Sequence, residues 1–177
     1  MKRTMTWKGT WVALMAALVA SPALLPAKVT KPLEDQVRHE LLMLPYLGVF
    51  DDLSFQVRGD KVKLMGEVTR PVLKSDAGNV IKRLPGVASV DNEIKVLPLS
   101  VLDDQVRWRE LRAIYGNSAL FRYGQGAIPP IHIIVDTGQV TLEGVVDNQT
   151  DKDLAGLAAH SVPGVFSVTN NLRVKSS

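Results

Sequence analysis

The sequence predicts an α+β fold in which two tandem α-β-β-α-β units follow an N-terminal signal peptide. The main observation is a self-match: VRGDKVKLMGEV, Val57 to Val68, returns 78 residues later as VDTGQVTLEGVV, Val135 to Val146. At the same offset LPGVASVDNEIKV meets VPGVFSVTNNLRV. A repeat with a fixed period sets the domain count before any other pattern is considered. We therefore predict two domains, at residues 33–97 and 102–175.

A helix is predicted to open each unit. The segment LEDQVRHELL, Leu33 to Leu42, returns as LDDQVRWREL, Leu102 to Leu111, and six of the ten positions are identical. Apolar residues spaced by three and four indicate an amphipathic helix. Glu110 stands where the first unit has Leu41. Either this acid is buried at an energetic cost, or the second helix is rotated so that Leu111 is buried instead.

A β-hairpin follows each helix. Its first strand is predicted at Leu53–Arg58 and at Ile131–Asp136, and its turn at Gly59-Asp60 and Thr137-Gly138. Two-residue hairpin turns require positive φ angles, which glycine adopts without strain. The pattern therefore predicts antiparallel pairing of the first two strands in both units.

The second hairpin strand alternates between apolar and polar residues, which is typical of a sheet covered on one face only. The inward positions are Val62, Leu64, Gly66 and Val68 in the first unit, and Val140, Leu142, Gly144 and Val146 in the second. The glycines in this row predict a place where a helix approaches the strand backbone closely.

A second helix and a third strand complete each unit. Thr69 and Asp147 are candidate N-caps, and Pro71 suits the first turn of the helix. A strand–helix–strand crossover makes the third strand parallel to the second. Each unit is therefore predicted to be a three-stranded mixed sheet covered on one face by two helices. Asn92 and Asn170 recur in the otherwise apolar row of the third strand, and we expect each to bond a neighbouring turn.

The N-terminal residues 1–27 predict a secretory signal peptide. They combine a basic start, an apolar run and a small-residue exit, with candidate cleavage after Ala23 or Ala27. The alternative is an uncleaved membrane anchor, because the apolar stretch approaches the length of a membrane span. The predicted location is the periplasm. Without the three basic residues of this segment, 18 basic residues stand against 18 acidic ones, which argues against nucleic acid as a partner.

The two repeats resemble a known family. The pattern GxVxLxGxV, then a helix, then GVxxVxN reads GDKVKLMGEV with GVASVDN, and TGQVTLEGVV with GVFSVTN. It resembles the BON domain, and the tandem pair behind a signal peptide resembles the osmotically inducible periplasmic protein Y family. The resemblance implies an envelope protein without known catalytic residues that contacts phospholipid membranes. The chain lacks the cysteine of the lipoprotein relatives, and its second unit carries an insertion within residues 119–130.

Residues for enzymatic or metal chemistry are sparse. His39, His132 and His160 do not have the spacing of metal ligands, and the sequence contains no cysteine. The adjacent carboxylates Asp51-Asp52 and Asp103-Asp104 are interpreted as helix-start charges. We therefore predict no catalytic residues, no metal site and no cofactor.

One stretch of the second unit combines cations with aromatic rings. Residues 107–122 hold four arginines against one acid, an arrangement that suits an anionic membrane interface. The candidate lipid-contact residues are Arg107, Trp108, Arg109, Arg112, Tyr115, Phe121, Arg122 and Tyr123. The alternative is that Trp108 and Tyr115 pack between the two units while the arginines are solvated or paired with acids.

The expected function is therefore non-enzymatic: contact with an anionic phospholipid membrane surface, in support of the cell envelope under osmotic or other stress. The alternative is a protein-interaction or chaperone-like module that binds envelope proteins through an exposed sheet face or edge.

Overall fold

A computed structural model describes residues 32–126 and 128–176. The predicted signal peptide, with its alternative as an anchor, lies outside these residues. Within the described residues, no helix combines the length and the apolar character that crossing a membrane requires.

The first domain is an α-β-β-α-β unit whose third strand is divided in two. The strand β1 pairs antiparallel with β2, and β2 pairs parallel with both β3 and β4 in one continuous register. Both helices pack on one face of this sheet around a core that includes Val37, Leu64 and Ile81. The elements are α1 (Leu33–Leu42), β1 (Asp52–Arg58), β2 (Lys61–Val68), α2 (Pro71–Lys82), β3 (Ser89–Asn92) and β4 (Lys95–Val96).

The second domain repeats this topology around its own core, and the same pairings recur. Its first helix extends past the repeated segment Leu102–Leu111 to Tyr115, and the insertion before the first strand contains a 3-10 helix at Phe121–Gln125. The elements are α3 (Val101–Tyr115), β5 (Ile131–Asp136), β6 (Gln139–Val146), α4 (Gln149–His160), β7 (Ser167–Asn170) and β8 (Arg173–Val174). The predicted pair of mixed sheets, each covered on one face by two helices, is confirmed.

The break in the third strand is explained by Asn92. Its side-chain amide donates to the carbonyl of Lys74 in α2 at 2.8 Å, and its oxygen accepts from Ile94 N at 3.3 Å. Asn170 makes the same pair of bonds in the second domain. These asparagines therefore tie the strand to a helix carbonyl, rather than only to a turn as predicted. A Cβ at Gly78 would lie 2.8 Å from the Asn92 amide nitrogen, so glycine provides the space.

The glycines in the inward row of β2 and β6 have a different role from the one predicted. Gly66 and Gly144 have φ angles of 115° and 123°, in the region that favours glycine. A Cβ at either position would overlap a carbonyl oxygen of the antiparallel neighbour segment, that of Asp52 or Pro130. The close approach is made by backbone of the adjacent strand, not by a helix.

The predicted N-caps are also displaced. The helix α2 begins at Pro71 after Arg70, which provides no side-chain cap, and α4 begins after Asn148, whose side chain accepts from Asp151 N. Thr69 is engaged elsewhere, because Asp51 accepts bonds from its backbone N–H at 2.6 Å and from its hydroxyl at 2.8 Å. Asp51 is therefore a buried link between the two ends of the hairpin, and its interpretation as a helix-start charge is wrong.

The two domains contact each other through side chains and backbone. Lys95 of β4 bonds both Glu67, at 2.9 Å, and Asp136 of β5, at 2.7 Å. The carbonyl of Val49, in the loop before β1, accepts a bond from Ile133 N at 2.8 Å. The first domain thus supplies a backbone partner to the edge strand of the second.

Candidate functional site

The helix α3 buries an unusual number of charged side chains and exposes several apolar ones. Its buried face carries Asp103, Arg107 and Glu110 beside the apolar Val106 and Ile114. Its solvent face carries Val101, Leu102 and Trp108, which are 76%, 73% and 55% exposed. A helix on a protein surface normally buries its apolar stripe and exposes its charges. Specific contacts must therefore hold α3 in this orientation.

The N-terminus of α3 is fixed by Ser100 and Asp103. The Ser100 hydroxyl accepts from Asp103 N at 3.1 Å as an N-cap. The Asp103 carboxylate accepts from Thr137 N at 3.1 Å and Gly138 N at 2.8 Å in the β5–β6 turn. Both turn residues have positive φ angles, which leave their N–H groups pointing at this carboxylate. Asp103 therefore binds the helix to the hairpin, a role beyond that of a helix-start charge.

Further along α3, two side chains bond the free edge of β5. The Arg107 guanidinium donates to the carbonyl of Val135 at 2.6 Å and to Asp104 at 2.5 Å. The Tyr115 hydroxyl donates to the carbonyl of Ile131 at 2.5 Å, and burial raises the pKa of Tyr115. Arg107 and Tyr115 therefore stabilise the sheet edge.

Glu110 lies between Arg107 and Tyr115 on α3, but its carboxylate forms no hydrogen bond with the described residues. Its side chain is 0% exposed, and neither carboxylate oxygen has a hydrogen-bond partner among the described residues. Burial raises the pKa of Glu110 to about 8. Leu111 is only half-buried. Of the two alternatives for this helix, the structure has the first: Glu110 is buried at a cost.

The insertion joins α3 to the start of α4. The Tyr123 hydroxyl donates to Asp151 at 2.7 Å and accepts from Asp147 N at 2.8 Å. The Arg122 guanidinium pairs with Asp147 at 3.5 Å and with Asp151, and it lies 4.7 Å from the centroid of the Tyr123 ring. The acids that pair with Arg122 neutralise its charge locally.

The eight predicted lipid-contact residues therefore fall into two groups. Arg107, Tyr115, Arg122 and Tyr123 have structural bonds within the second domain, whereas the side chains of Trp108, Arg109, Arg112 and Phe121 are exposed. Trp108 meets Phe50 of the first domain edge to face at 5.3 Å, so the predicted alternative of packing between the units holds for part of this ring. Arg109 donates to the carbonyl of Pro163 at 3.1 Å.

The exposed group extends further than the sequence indicated. Val101 and Leu102 lie two helical turns before Trp108 and Arg109, on the same side of α3. The seven-residue spacing between these two pairs could have predicted from the sequence that they share one side of the helix. The exposed stripe of α3, defined as Val101, Leu102, Gln105, Trp108, Arg109 and Arg112, carries two cations and three large apolar side chains. Such a stripe can insert apolar side chains into a lipid or protein surface while its guanidinium groups bind anions.

Comparison with known proteins places this architecture in a family. The family model of the BON domain matches residues 30–98 and 117–176, and α3 lies between the two matched segments. Osmotically-inducible protein Y of Escherichia coli is 30% identical over 132 residues, which are 70% of this chain and 62% of that protein. The chain therefore spans less than two thirds of that relative.

Two solved structures of CdsD, a structural protein of the type III secretion system of Chlamydia trachomatis, are also similar. One, of its C-terminal domain, has a TM-score of 0.29 at 14% identity and covers 81% of this chain and 98% of that one. The other has a TM-score of 0.31 at 14% identity and covers 82% and 93%. Because the family model matches both repeats and more than half of the sequence, the chain belongs to the BON-domain family.

Proposed function

We propose that this protein is a non-enzymatic component of the periplasm that binds anionic phospholipid surfaces through the exposed stripe of α3. The observation that carries the proposal is the combination of exposed apolar and cationic side chains on this helix. Three large apolar side chains face solvent beside Arg109 and Arg112, while Asp103, Arg107 and Glu110 are buried. An apolar stripe flanked by arginines is typical of helices that lie in a membrane interface.

The expected binding is weak and reversible. Each cation near an anionic surface contributes about 1 kcal/mol, and the stripe offers two exposed guanidinium groups, those of Arg109 and Arg112, rather than the four counted in the sequence. Burial of the Val101, Leu102 and Trp108 side chains in the interface adds a favourable free energy of binding. It amounts to about 25 cal/mol per Å² of apolar surface removed from water. Binding of this kind should weaken as salt screens the charges.

The similarity to osmotically-inducible protein Y supports a role in the envelope under osmotic stress. The predicted signal peptide supports export to the periplasm. In this proposal the protein acts in the envelope while it is bound to the membrane surface.

Liposome sedimentation tests the proposal. The protein without residues 1–27 should sediment with vesicles that contain phosphatidylglycerol at low salt, and not with purely zwitterionic vesicles. The double substitution Arg109→Glu and Arg112→Glu should abolish sedimentation. Lys82→Glu with Arg83→Glu is the matched control, because it makes the same change in net charge on exposed residues at the C-terminal end of α2. Equal loss in both doubles would mean that net charge, not this helix, drives binding.

Trp108 gives a second, local measurement. The chain has three tryptophans, and the other two, Trp7 and Trp11, lie in the predicted signal peptide. Without residues 1–27, intrinsic tryptophan fluorescence therefore reports Trp108 alone. A blue shift with anionic vesicles is expected as the ring leaves water. Sedimentation without any spectral shift would contradict contact through this stripe.

A further inference from the structure

The two domains treat the free edges of their sheets differently. In each sheet the first hairpin strand, β1 or β5, forms one edge, and the divided third strand forms the other. The edge of β5 is occupied: the carbonyls of Ile131 and Val135 accept bonds from Tyr115 and Arg107, and Ile133 N donates to Val49. Unpaired strand edges are templates for further β-pairing, so proteins usually cover them.

The repeat identifies the corresponding groups on β1. The positions equivalent to Ile131, Ile133 and Val135 are Leu53, Phe55 and Val57, and both hairpins have two-residue turns in the same register. The N–H and C=O groups of Leu53, Phe55 and Val57 therefore point away from β2. Within the described residues, neither the Arg38 side chain nor the second domain forms a hydrogen bond to these groups.

The equivalent of Arg107 in the first domain is Arg38, which does not cover this edge. Its guanidinium lies 5.4 Å from the centroid of the Phe55 ring, so it is held against an aromatic face instead of a strand carbonyl. In the part of the chain that the structure describes, the edge of β1 is consequently open where the edge of β5 is closed.

The open edge lines a groove of about 1100 Å³. On one side the groove is bordered by α1, with Arg38 and Leu42, and on the other by the outer face of the second sheet, with His132 and Ile134. The edge of β1 is therefore flanked by walls on two sides. A second folded copy would have to bring its own β1, which lies between the same walls, into this groove, whereas an extended segment has no such walls to pass.

The charges of the groove indicate the chemistry of its occupant. Four carboxylates and three guanidinium groups line it, so the walls are close to neutral and do not select a polyanion. The half-exposed Leu42 and the partly buried Phe55 provide apolar contacts beside the strand edge. A near-neutral peptide with apolar residues at alternate positions complements this surface.

We propose that β1 binds an extended, near-neutral polypeptide segment by strand addition in this groove. Main-chain hydrogen bonds to Leu53, Phe55 and Val57 provide affinity, and the walls formed by α1 and the second sheet provide selectivity. The seven residues of β1 set the length of the bound strand. This site is separate from the exposed stripe of α3 and does not depend on membrane binding.

Amide hydrogen exchange by NMR tests the site directly. In the protein without residues 1–27, the amides of Leu53, Phe55 and Val57 should exchange fast, whereas Ile133 exchanges slowly because Val49 accepts its bond. The probe is a peptide of about seven residues in which valine and threonine alternate, with one lysine and one glutamate. Its addition should slow the three β1 amides. The same peptide with proline at alternate positions should have no effect, because proline cannot donate.

Two substitutions complete the test. Val57→Pro removes an N–H that faces the groove and leaves the ladder to β2 intact. Leu42→Asp changes the α1 wall of the groove without altering β1. It therefore tests the proposal even if the Val57→Pro variant does not fold. Each should weaken binding of the fluorescent probe peptide about tenfold, equivalent to about 1.4 kcal/mol. Leu157→Asp, at an exposed leucine of α4, is the matched control and should bind normally.

Three results would overturn the proposal. The first is the absence of saturable binding by the alternating peptide. The second is protection of amides elsewhere with none on β1. The third is slow, concentration-dependent exchange of the β1 amides without peptide, which would identify a second copy of the chain as the occupant.

Discussion

Replacing Glu110 with leucine, the residue at the equivalent position of the first domain, should stabilise the protein at neutral pH. The carboxyl is buried without a hydrogen-bond partner among the described residues, and burial raises its pKa from 4.5 to about 8. At pH 7 the folded protein therefore holds a proton that the unfolded chain releases. Each pH unit between the two pKa values is worth about 1.4 kcal/mol, so the cost at pH 7 is about 3 kcal/mol.

The sign of the pH dependence follows from the direction of this shift. Between pH 4.5 and 8 the native state binds more protons than the unfolded state, so the free energy of unfolding falls as pH rises. The penalty is absent well below pH 4.5 and complete above pH 8. Between pH 5 and pH 7.5 it should grow by about 3 kcal/mol.

Urea denaturation at pH 5 and pH 7.5 measures this effect. Glu110→Gln keeps the size of the side chain and removes its titration, so the difference between the two pH values should shrink by about 3 kcal/mol relative to the wild type. Glu110→Leu should remove the pH term and also raise stability at both values. The reciprocal change, Leu41→Glu, should introduce a similar pH dependence into the first domain. If the wild type and Glu110→Gln respond to pH alike, Glu110 is not a buried neutral acid and the reasoning fails.

Two further predictions concern the first hairpin, and urea denaturation measures both. Asp51→Ala should cost about 3 kcal/mol, because it leaves the N–H groups of Gly48 and Thr69 without their acceptor; an unchanged midpoint would contradict this. Gly66→Ala should cost more than about 2 kcal/mol, because its φ of 115° and the carbonyl of Asp52 leave no room for a Cβ. The matched control is Gly48→Ala, whose Cβ would lie 3.7 Å from its nearest neighbour; equal losses in the two variants would refute the steric argument.

The repeat and the hairpin register were predictable because local patterns determine them. Alternation with a period of two assigns each side chain of β2 and β6 to a face, and the two-residue turns fix which residues pair. The helix starts were less predictable, because Thr69 has a side chain suited to capping but uses it to bond Asp51. The local propensity of threonine for N-caps contains no information on Asp51, which lies 18 residues earlier and accepts the bond from the Thr69 hydroxyl.

Only part of the candidate site could be predicted from the sequence, because the rest depends on partners that are distant along the chain. The cationic and aromatic composition of residues 107–122 was visible, but the division into bonded and exposed side chains depends on distant partners. Arg107 is buried because it bonds the carbonyl of Val135, 28 residues later in the chain. Asp103 is buried because its carboxylate bonds the N–H of Gly138 in the β5–β6 turn. On a helical wheel these charged residues with Glu110 resemble a solvent face. Only the position of the β5 edge makes that face the inner one.

The asymmetry between the two domains follows from one pair of equivalent residues. Arg38 and Arg107 occupy the same helix position, but the strand position beside them is Phe55 in the first domain and Ile133 in the second. An aromatic face attracts a guanidinium by about 0.5 to 1 kcal/mol at exposed sites, which holds Arg38 away from the strand edge. Isoleucine offers no such face, so Arg107 extends to the carbonyl of Val135 and closes the edge. Closing that edge places the charged Arg107 on the inner face of α3, beside the apolar Val106 and Ile114. The difference between Phe55 and Ile133 thus accounts for a strand edge that is open among the described residues of one domain and closed in the other.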